Sequence, residues 1–144
     1  MGHMIGRPHI ALLMLKKGYV PSLKIAFQLY IGDDQPCYVR GITFSVEETI
    51  AIIHEAGGKA FIAHPHLLHH RCKIKELLHL PLDGLECYYG KLNLTQEKRF
   101  IKLAKEKNLL ISGGSDFHGE TLEHAQLGSS WVDEATFHTI FTHL

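Results

Sequence analysis

Imidazole, phenol and carboxylate side chains stand where three predicted strands of this chain end. His64-Pro65-His66 follows the first strand, Tyr88-Tyr89 ends the second, and a loop with Asp116 and His118 follows the third. In parallel sheets ligands bind beyond the carboxyl ends of the strands, so residues at these positions carry the most weight. Imidazole together with carboxylate favours zinc, manganese or iron, and the absence of a cysteine pair argues against a structural zinc knuckle. The pattern predicts a divalent metal site formed by His64, Asp116 and His118.

Each of these three candidate ligands has a plainer alternative. Asp116-x-His118 lies between glycines, and a two-residue spacing in extended backbone puts both side chains on one side of the chain. Taken alone, Asp116 is equally well explained as a backbone cap in a loop and His118 as part of a surface turn. His64 could be a satisfied histidine at a strand end, but Pro65 is expected to hold it extended and so to fix the direction of its ring. Taken together, the three residues favour the ligand interpretation.

The remaining histidines, of the twelve in the sequence, are less informative. His66, His69 and His70, with Arg71, form either a positive loop near a substrate or a solvated turn, and the solvated turn is favoured. His54 falls inside a predicted helix, where a structural role is expected.

The elements that position these side chains alternate between strand and helix. Strands are predicted at Lys59–Ala63, Gly84–Tyr88 and Leu109–Ile111. Helices are predicted from the spacing of apolar residues, from the capping boxes Ser45/Glu48 and Asn93/Gln96 and from the glycines at helix ends. The predicted helices lie after Gly6, between Leu23 and Tyr30, after Ser45, between Ile74 and Leu78, after Asn93 and after Asp133. Strands separated by helices imply a parallel sheet, so the fold class is α/β.

Composition narrows the function further. The chain has 144 residues, and 15 Lys plus Arg balance 15 Asp plus Glu, so net charge gives no drive toward nucleic acid or anionic membrane. Three cysteines, odd in number and widely spaced, favour a reducing cytoplasm over a secreted disulfide framework. No apolar run approaches the roughly 18 residues of a membrane span. Met1–Met4 is typical of an expression remnant.

Motifs in order along nearly the whole chain resemble the PHP (polymerase and histidinol phosphatase) superfamily of metal-dependent phosphoesterases, in its branch with nucleotide phosphatase and 5′ to 3′ exoribonuclease activity. The motif from Gly113 to Gly119 is the most specific, and Ala63-His64-Pro65 alone would be weak. The other matching stretches are Gly6-Arg7-Pro8-His9 with Ala11, Gly18-Tyr19-Val20, Ala26-Phe27 with Tyr30, Tyr38-Val39, Glu47-Glu48, Ala56-Gly57-Gly58, Asp83–Tyr88 and Leu127-Gly128.

The resemblance implies a distorted (β/α)7 barrel with two or three divalent metals, in which His64, Asp116 and His118 are metal ligands. Manganese, zinc or iron is expected, with magnesium as an alternative. Arg7 and His9 are implied as substrate-phosphate contacts, since an Arg fork and an imidazole near a helix N-terminus favour a phosphate oxyanion. His66 stands where relatives usually carry glycine, so it either adds a ligand or narrows the pocket.

The chain also departs from the family pattern. Family members begin with a His-x-His strand and supply further ligands before the region that matches here. Residues 5–144 are therefore expected to be the C-terminal part of such a domain, with 5–44 as a helical, insert-like segment and with the N-terminal strands missing. An incomplete barrel leaves an exposed sheet edge, through which a homo-oligomer is a hypothesis.

Three functions are consistent with the sequence. The first is hydrolysis of phosphate esters of nucleotides or RNA 5′ ends by metal-activated water, incomplete in this chain. The second is a non-catalytic remnant that binds at most one metal or a phosphate. The third, and weakest, is an RNA-binding module that uses His69-His70-Arg71 and a basic helical stripe at Lys98, Lys102 and Lys105. No membrane partner is expected.

Overall fold

The computed structural model describes residues 5–68, 74–119 and 125–142. The chain divides into two compact units, Met1–Thr43 and Phe44–Leu144. No helix within the described ranges is long and apolar enough to cross a membrane. The assignments of residues 1–4 to an expression remnant and of 5–44 to an inserted segment stay predictions.

The first unit is helical. Helix α1 spans Arg7–Lys16, and α2 spans Leu23–Ala26 and continues as a π-helical turn over Phe27–Ile31. These helices pack together and share one small core. Its buried members are Ala11, Val20, Ala26 and Ile31.

The second unit contains a parallel three-stranded sheet in the order β1-β2-β3, with β1 at Phe61–Ile62, β2 at Gly84–Tyr89 and β3 at Leu110–Gly114. Its helices are α3 (Val46–Glu55), α4 (Ile74–Leu77), α5 (Leu94–Glu106) and α6 (Glu134–Phe141), and a single 3-10 turn covers Pro65–Leu67. The α/β class, with parallel strands and flanking helices, is confirmed.

The predicted helix caps are confirmed. The Ser45 hydroxyl accepts from the Glu48 amide at 3.1 Å while the Glu48 carboxylate accepts from the Ser45 amide at 2.7 Å. Asn93 and Gln96 form the same reciprocal pair at the start of α5, and Asp133 accepts from the Thr136 amide at 2.7 Å at the start of α6. Caps satisfy backbone donors that a helix leaves unpaired, which is why local sequence predicts them well.

The core of this unit lies between the sheet and α5. Leu85 and Cys87 on β2 are fully buried and pack with Phe100 and Ala104 of α5. Between Glu86 and Tyr88 the pairing of β2 with β3 shifts by one residue, which is a β-bulge. A bulge changes which side chains share a face, and this one determines the composition of the site.

Two strands differ in length from the prediction. Strand β1 has only two residues, because the Ala60 amide binds the Asp83 carboxylate at 2.6 Å instead of a strand partner. Strand β3 extends to Gly114, where a glycine loop was predicted. A Cβ on Gly113 would lie 2.5 Å from the Tyr88 Cβ, so glycine lets the two strands stay paired there.

Candidate metal centre

The predicted ligands His64, Asp116 and His118 lie close together in the second unit, beyond the carboxyl ends of the strands. His64 Nε2 is 3.6 Å from Asp116 Oδ2, and His118 Nδ1 is 3.6 Å from Asp116 Oδ1. Asp116 thus faces both imidazoles. The Asp116 carboxylate is 19% exposed, which leaves it open to a small ligand while reducing competition from water.

The backbone of His64 differs from the prediction. The residue is not extended; it lies in the left-handed region at φ 47° and ψ 51° and precedes the 3-10 turn. Its amide donates to Glu86 Oε2 at 2.7 Å and its carbonyl accepts from the Leu67 amide at 2.8 Å. A following proline disfavours the right-handed helical region, and these two hydrogen bonds hold the residue in the left-handed one. Strained backbone of this kind is typical of functional sites.

Asp116 is also left-handed, at φ 55°, so the prediction of extended backbone between Asp116 and His118 is wrong. The two residues meet for another reason. His118 Nδ1 donates to the Asp116 carbonyl at 2.7 Å, which fixes the ring against the loop. A histidine whose Nδ1–H is bound to a carbonyl presents the lone pair of Nε2, as metal-binding histidines commonly do.

Glu86 is a site residue that the spacing of polar residues does not reveal. It lies on β2 with its side chain 16% exposed, and Oε2 is 3.9 Å from His64 Nε2 as well as bonded to the His64 amide. The available signal was a carboxylate between two fully buried neighbours, Leu85 and Cys87. A charge in such a strand requires a partner.

Tyr89 completes this group because of the bulge in β2. Residues 86 and 89 are an odd number of positions apart and would face opposite sides of a regular strand. With the extra residue, Glu86 contacts His64 while the Tyr89 hydroxyl donates to Asp116 Oδ2 at 3.1 Å. Burial raises the pKa of Tyr89, and its hydrogen bond to Asp116 raises it further, so the phenol stays a donor.

His66 is not in the solvated turn that was favoured. Its ring centroid is 4.8 Å from that of Tyr89 and 6.3 Å from that of His64. Burial lowers the pKa of His66, and the neighbouring His64 lowers it further. Its Nδ1 is buried and has no hydrogen-bond partner among the described residues. His69, His70 and Arg71 lie outside the described residues.

Arg7 and His9, the predicted phosphate contacts, lie at the start of α1 in the first unit. Arg7 Nη1 is bound to Asp33 Oδ1 at 2.6 Å and to the Ile31 carbonyl at 3.3 Å. His9 Nδ1 accepts from the Gly6 amide at 3.0 Å, so the neutral ring carries its proton on Nε2. Their role toward phosphate stays a prediction.

The donor set fits a divalent ion in chemical type and in pairwise spacing. Two atoms that bind one ion tetrahedrally at about 2.1 Å lie roughly 3.4 Å apart, close to the 3.6 Å between His64 Nε2 and Asp116 Oδ2. Across the ranges 5–68, 74–119 and 125–142, however, no group of three or more His, Cys, Asp or Glu is arranged to hold an ion. The assignment of all three ligands therefore stays a proposal.

Similar solved structures define the class of this chain. It aligns over 95% of its length, at 30% identity and a TM-score of 0.75, with half of a Bifidobacterium adolescentis protein assigned as a metal-dependent phosphoesterase. It aligns over 92% of its length, at 27% identity and a TM-score of 0.68, with 48% of an amidohydrolase from Chromobacterium violaceum solved with bound sulfate and no metal. The chain is related to PHP-type metal-dependent phosphoesterases, so the predicted resemblance is confirmed.

Curated relatives place the chain more narrowly. It is 32% identical over 120 residues to a 3′,5′-nucleoside bisphosphate phosphatase of Chromobacterium violaceum, and 30% identical over 122 residues to the 5′-3′ exoribonuclease Rnm of Escherichia coli. These alignments cover 80% and 81% of this chain but 42% of each relative. The chain thus spans less than half the length of these relatives. No family model matches it.

Proposed function

We propose that this chain is part of a metal-dependent phosphoesterase that hydrolyses phosphate esters of nucleotides or of RNA 5′ ends. The observation that carries the proposal is the approach of His64 Nε2 to Asp116 Oδ2, 3.6 Å apart beyond the carboxyl ends of two strands. The names of the relatives supply the substrate class. The cytoplasm is the proposed compartment, where free thiols such as Cys37 and Cys87 stay reduced.

In this proposal His64, Asp116 and His118 hold a divalent ion, with manganese, zinc or iron favoured and magnesium as the alternative. When bound, such an ion supplies activated water and neutralises charge on a phosphoryl oxygen. The chain's own residues orient the donors. Glu86 holds the backbone of His64, Tyr89 donates to Asp116, and the Asp116 carbonyl fixes the ring of His118.

Arg7 and His9 are proposed to bind the phosphate of the substrate. Within the described residues the hydrogen bonds of Arg7 use Nη1, so its other guanidinium donors can face an anion. His9 Nε2–H is a donor because Nδ1 already accepts from Gly6. Whether His66 adds a ligand is part of the same proposal, and its unpartnered Nδ1 is the observation that motivates it.

A second candidate is that these 144 residues bind one metal or a phosphate without turnover. It is favoured by the extent of the match, which is 42% of the length of each of the two curated relatives.

Pairing of two copies through an edge strand, β1 or β3, also stays a prediction, and light scattering during size-exclusion chromatography measures it.

Metal analysis and hydrolysis assays separate the two candidates. The purified chain is incubated with Mn²⁺ and tested on adenosine 3′,5′-bisphosphate and on a 5′-phosphorylated oligonucleotide, with and without chelator. A phosphoesterase shows turnover that the chelator and Asp116→Ala both abolish, whereas Glu106→Ala, on the exposed pair with Lys102, leaves it unchanged. Bound metal without turnover would establish the second candidate. Robust turnover in Asp116→Ala would exclude the role given to that residue.

A further inference from the structure

A small cavity adjoins the candidate metal centre, and each polar side chain that lines it among the described residues carries a hydrogen-bond donor. The cavity has a volume of about 190 Å³, several times the roughly 30 Å³ of one water in the liquid, so it has room for a phosphate group. Pro65, Leu68 and Phe100 form apolar walls, and His66, Gln96 and Arg99 are its polar residues. No acidic side chain of the described residues lines it.

Arg99 brings a positive charge that is not used elsewhere in the described structure. It lies on α5, with its guanidinium 5.9 Å from the Phe100 ring centroid. Within the described part of the chain it has no carboxylate partner. Arginine binds phosphate oxygens with a planar, two-pronged guanidinium, so Arg99 is the lining residue best suited to an anion.

The helix cap uses only the oxygen of the Gln96 side chain and leaves its NH2 group available as a donor. Its Oε1 accepts from the Asn93 amide at 3.1 Å, which fixes the orientation of the side-chain amide and leaves the Nε2 hydrogens to bind another group. The residue is in the first turn of α5, a 13-residue helix whose N-terminus favours negative charge. The cap thus orients the NH2 group of Gln96, and the N-terminus of α5 favours an anion beside it.

His66 links the cavity to the candidate metal centre, because it lines the cavity and also contacts the rings of Tyr89 and His64. The neutral ring of His66 carries a proton on one of its two nitrogens, and its buried Nδ1 has no hydrogen-bond partner among the described residues. His66 thus adds a ring N–H to the donors of Gln96 and Arg99, the two other polar residues that line the cavity.

We infer that His66, Gln96 and Arg99 form a second phosphate-binding site, which holds a substrate phosphate other than the one that is hydrolysed. This inference rests on the proposed function and names the part of the substrate that the cavity recognises. The phosphate can come from two sources, the second phosphate of a nucleoside bisphosphate or the internucleotide phosphate of an RNA end. Both present the same anionic oxygens to the three donors.

The test measures binding without metal, so that it does not depend on turnover. Isothermal titration calorimetry of the chelator-treated chain compares 5′-AMP, adenosine 3′,5′-bisphosphate, a 5′-phosphorylated adenosine dinucleotide and inorganic phosphate. We expect at least one of the two-phosphate ligands to bind about tenfold more tightly than 5′-AMP, and the ligand that does so identifies the source. Arg99→Gln should remove this advantage and leave the affinity for 5′-AMP unchanged.

Gln96→Glu is the second variant. A carboxylate at this position still accepts from the Asn93 amide and suits the first turn of α5, so the helix keeps its cap. Thermal stability should therefore be kept while the advantage of the two-phosphate ligand falls. Lys98→Gln is the matched control, because it removes a positive charge from the same helix outside the cavity.

Three results would overturn the inference. The first is equal affinity for one-phosphate and two-phosphate ligands, and the second is an equal loss of affinity for the two-phosphate ligand in Lys98→Gln and Arg99→Gln. The third is a chain that binds inorganic phosphate but neither two-phosphate ligand. Loss of metal-dependent hydrolysis in a chain that keeps the tenfold preference counts against the proposed function and not against this site.

Discussion

The hydroxyl of Tyr89 donates to Asp116 Oδ2 at 3.1 Å, and the same carboxylate oxygen faces His64 Nε2 at 3.6 Å. Tyr89 is 4% exposed, so water has little access to this hydrogen bond and does not compete for its donor. The bond orients the carboxylate between two strand ends, which is the task that outer hydrogen bonds perform at metal sites.

Tyr89→Phe should therefore weaken Mn²⁺ binding by about tenfold, because the carboxylate loses the partner that orients it. The loss of one buried hydrogen bond should also lower the free energy of unfolding by about 1 kcal/mol. Calorimetric titration with Mn²⁺ and urea unfolding measure the two effects. Tyr88→Phe is the control, and an equal loss of affinity in that variant would show that Tyr89 has no special role.

Asp83 should make the second unit acid-sensitive. Its carboxylate binds His54 Nε2 at 2.7 Å and the Ala60 amide at 2.6 Å. Burial alone would raise the pKa of Asp83, but these hydrogen bonds outweigh it and the pKa lies below its ordinary value. The unfolded chain thus takes up the proton at a higher pH than the folded chain, so the stabilisation is complete above the unfolded pKa of about 4 and is lost as the pH falls through the folded pKa.

Asp83→Asn keeps one oxygen that can accept both hydrogen bonds, removes the charge and replaces the other oxygen with an NH2 group. We expect it to lower the free energy of unfolding by about 1 kcal/mol at pH 6, and we expect the difference from wild type to shrink below about pH 4. Urea unfolding at a series of pH values measures this. Asp34→Asn, at a carboxylate that is 76% exposed, should have little effect, and a pH-independent difference for Asp83→Asn would contradict the linkage.

Gly113 and Gly114 should respond differently to alanine. A Cβ on Gly113 would lie 2.5 Å from the Tyr88 Cβ and 2.7 Å from the Tyr88 carbonyl oxygen, whereas a Cβ on Gly114 meets nothing within 4 Å. We expect Gly113→Ala to destabilise the fold by roughly 1–3 kcal/mol, as overpacking does, and Gly114→Ala to be nearly neutral. Thermal melts of the two variants decide it, and equal melting temperatures would show that the strands move apart at no cost.

Cys87 should be inert toward thiol reagents in the folded chain. It is fully buried, and burial raises its pKa to about 12, with the charge of Glu86 raising it further. Because the thiolate is the reactive form, native protein should show one fast thiol at the exposed Cys37 in a Cys72→Ser background. The second thiol should appear only on unfolding in urea. Two fast thiols in native protein would mean that β2 opens readily.

The sequence predicted those features that depend on neighbouring residues. Helix caps at Ser45, Asn93 and Asp133 come from short-range hydrogen bonds, and each was found. The location of His64 and Asp116 at strand ends was also predictable, because helix and strand periodicity fixes where strands stop.

The rest of the site depends on interactions between distant segments. The bulge in β2 arises from its pairing with β3. Because of this bulge, Glu86 and Tyr89 both contact residues of the candidate metal centre. The left-handed backbone of His64 depends on Glu86, 22 residues away along the chain. The periodicity of a single segment cannot reveal either feature, because both depend on a second segment. For this reason the sequence predicted extended backbone at His64 and Asp116 and did not identify Glu86 as a site residue.

The left-handed conformations of His64 and Asp116 set fold stability against the candidate chemistry. Glycine at either position would relieve a conformational penalty of about 1 kcal/mol and at the same time delete a proposed ligand. An effort to make this chain more heat-resistant by matching residues to backbone angles would thus choose glycine twice and remove the imidazole and the carboxylate. Any thermostabilised version of the protein has to exempt these two positions.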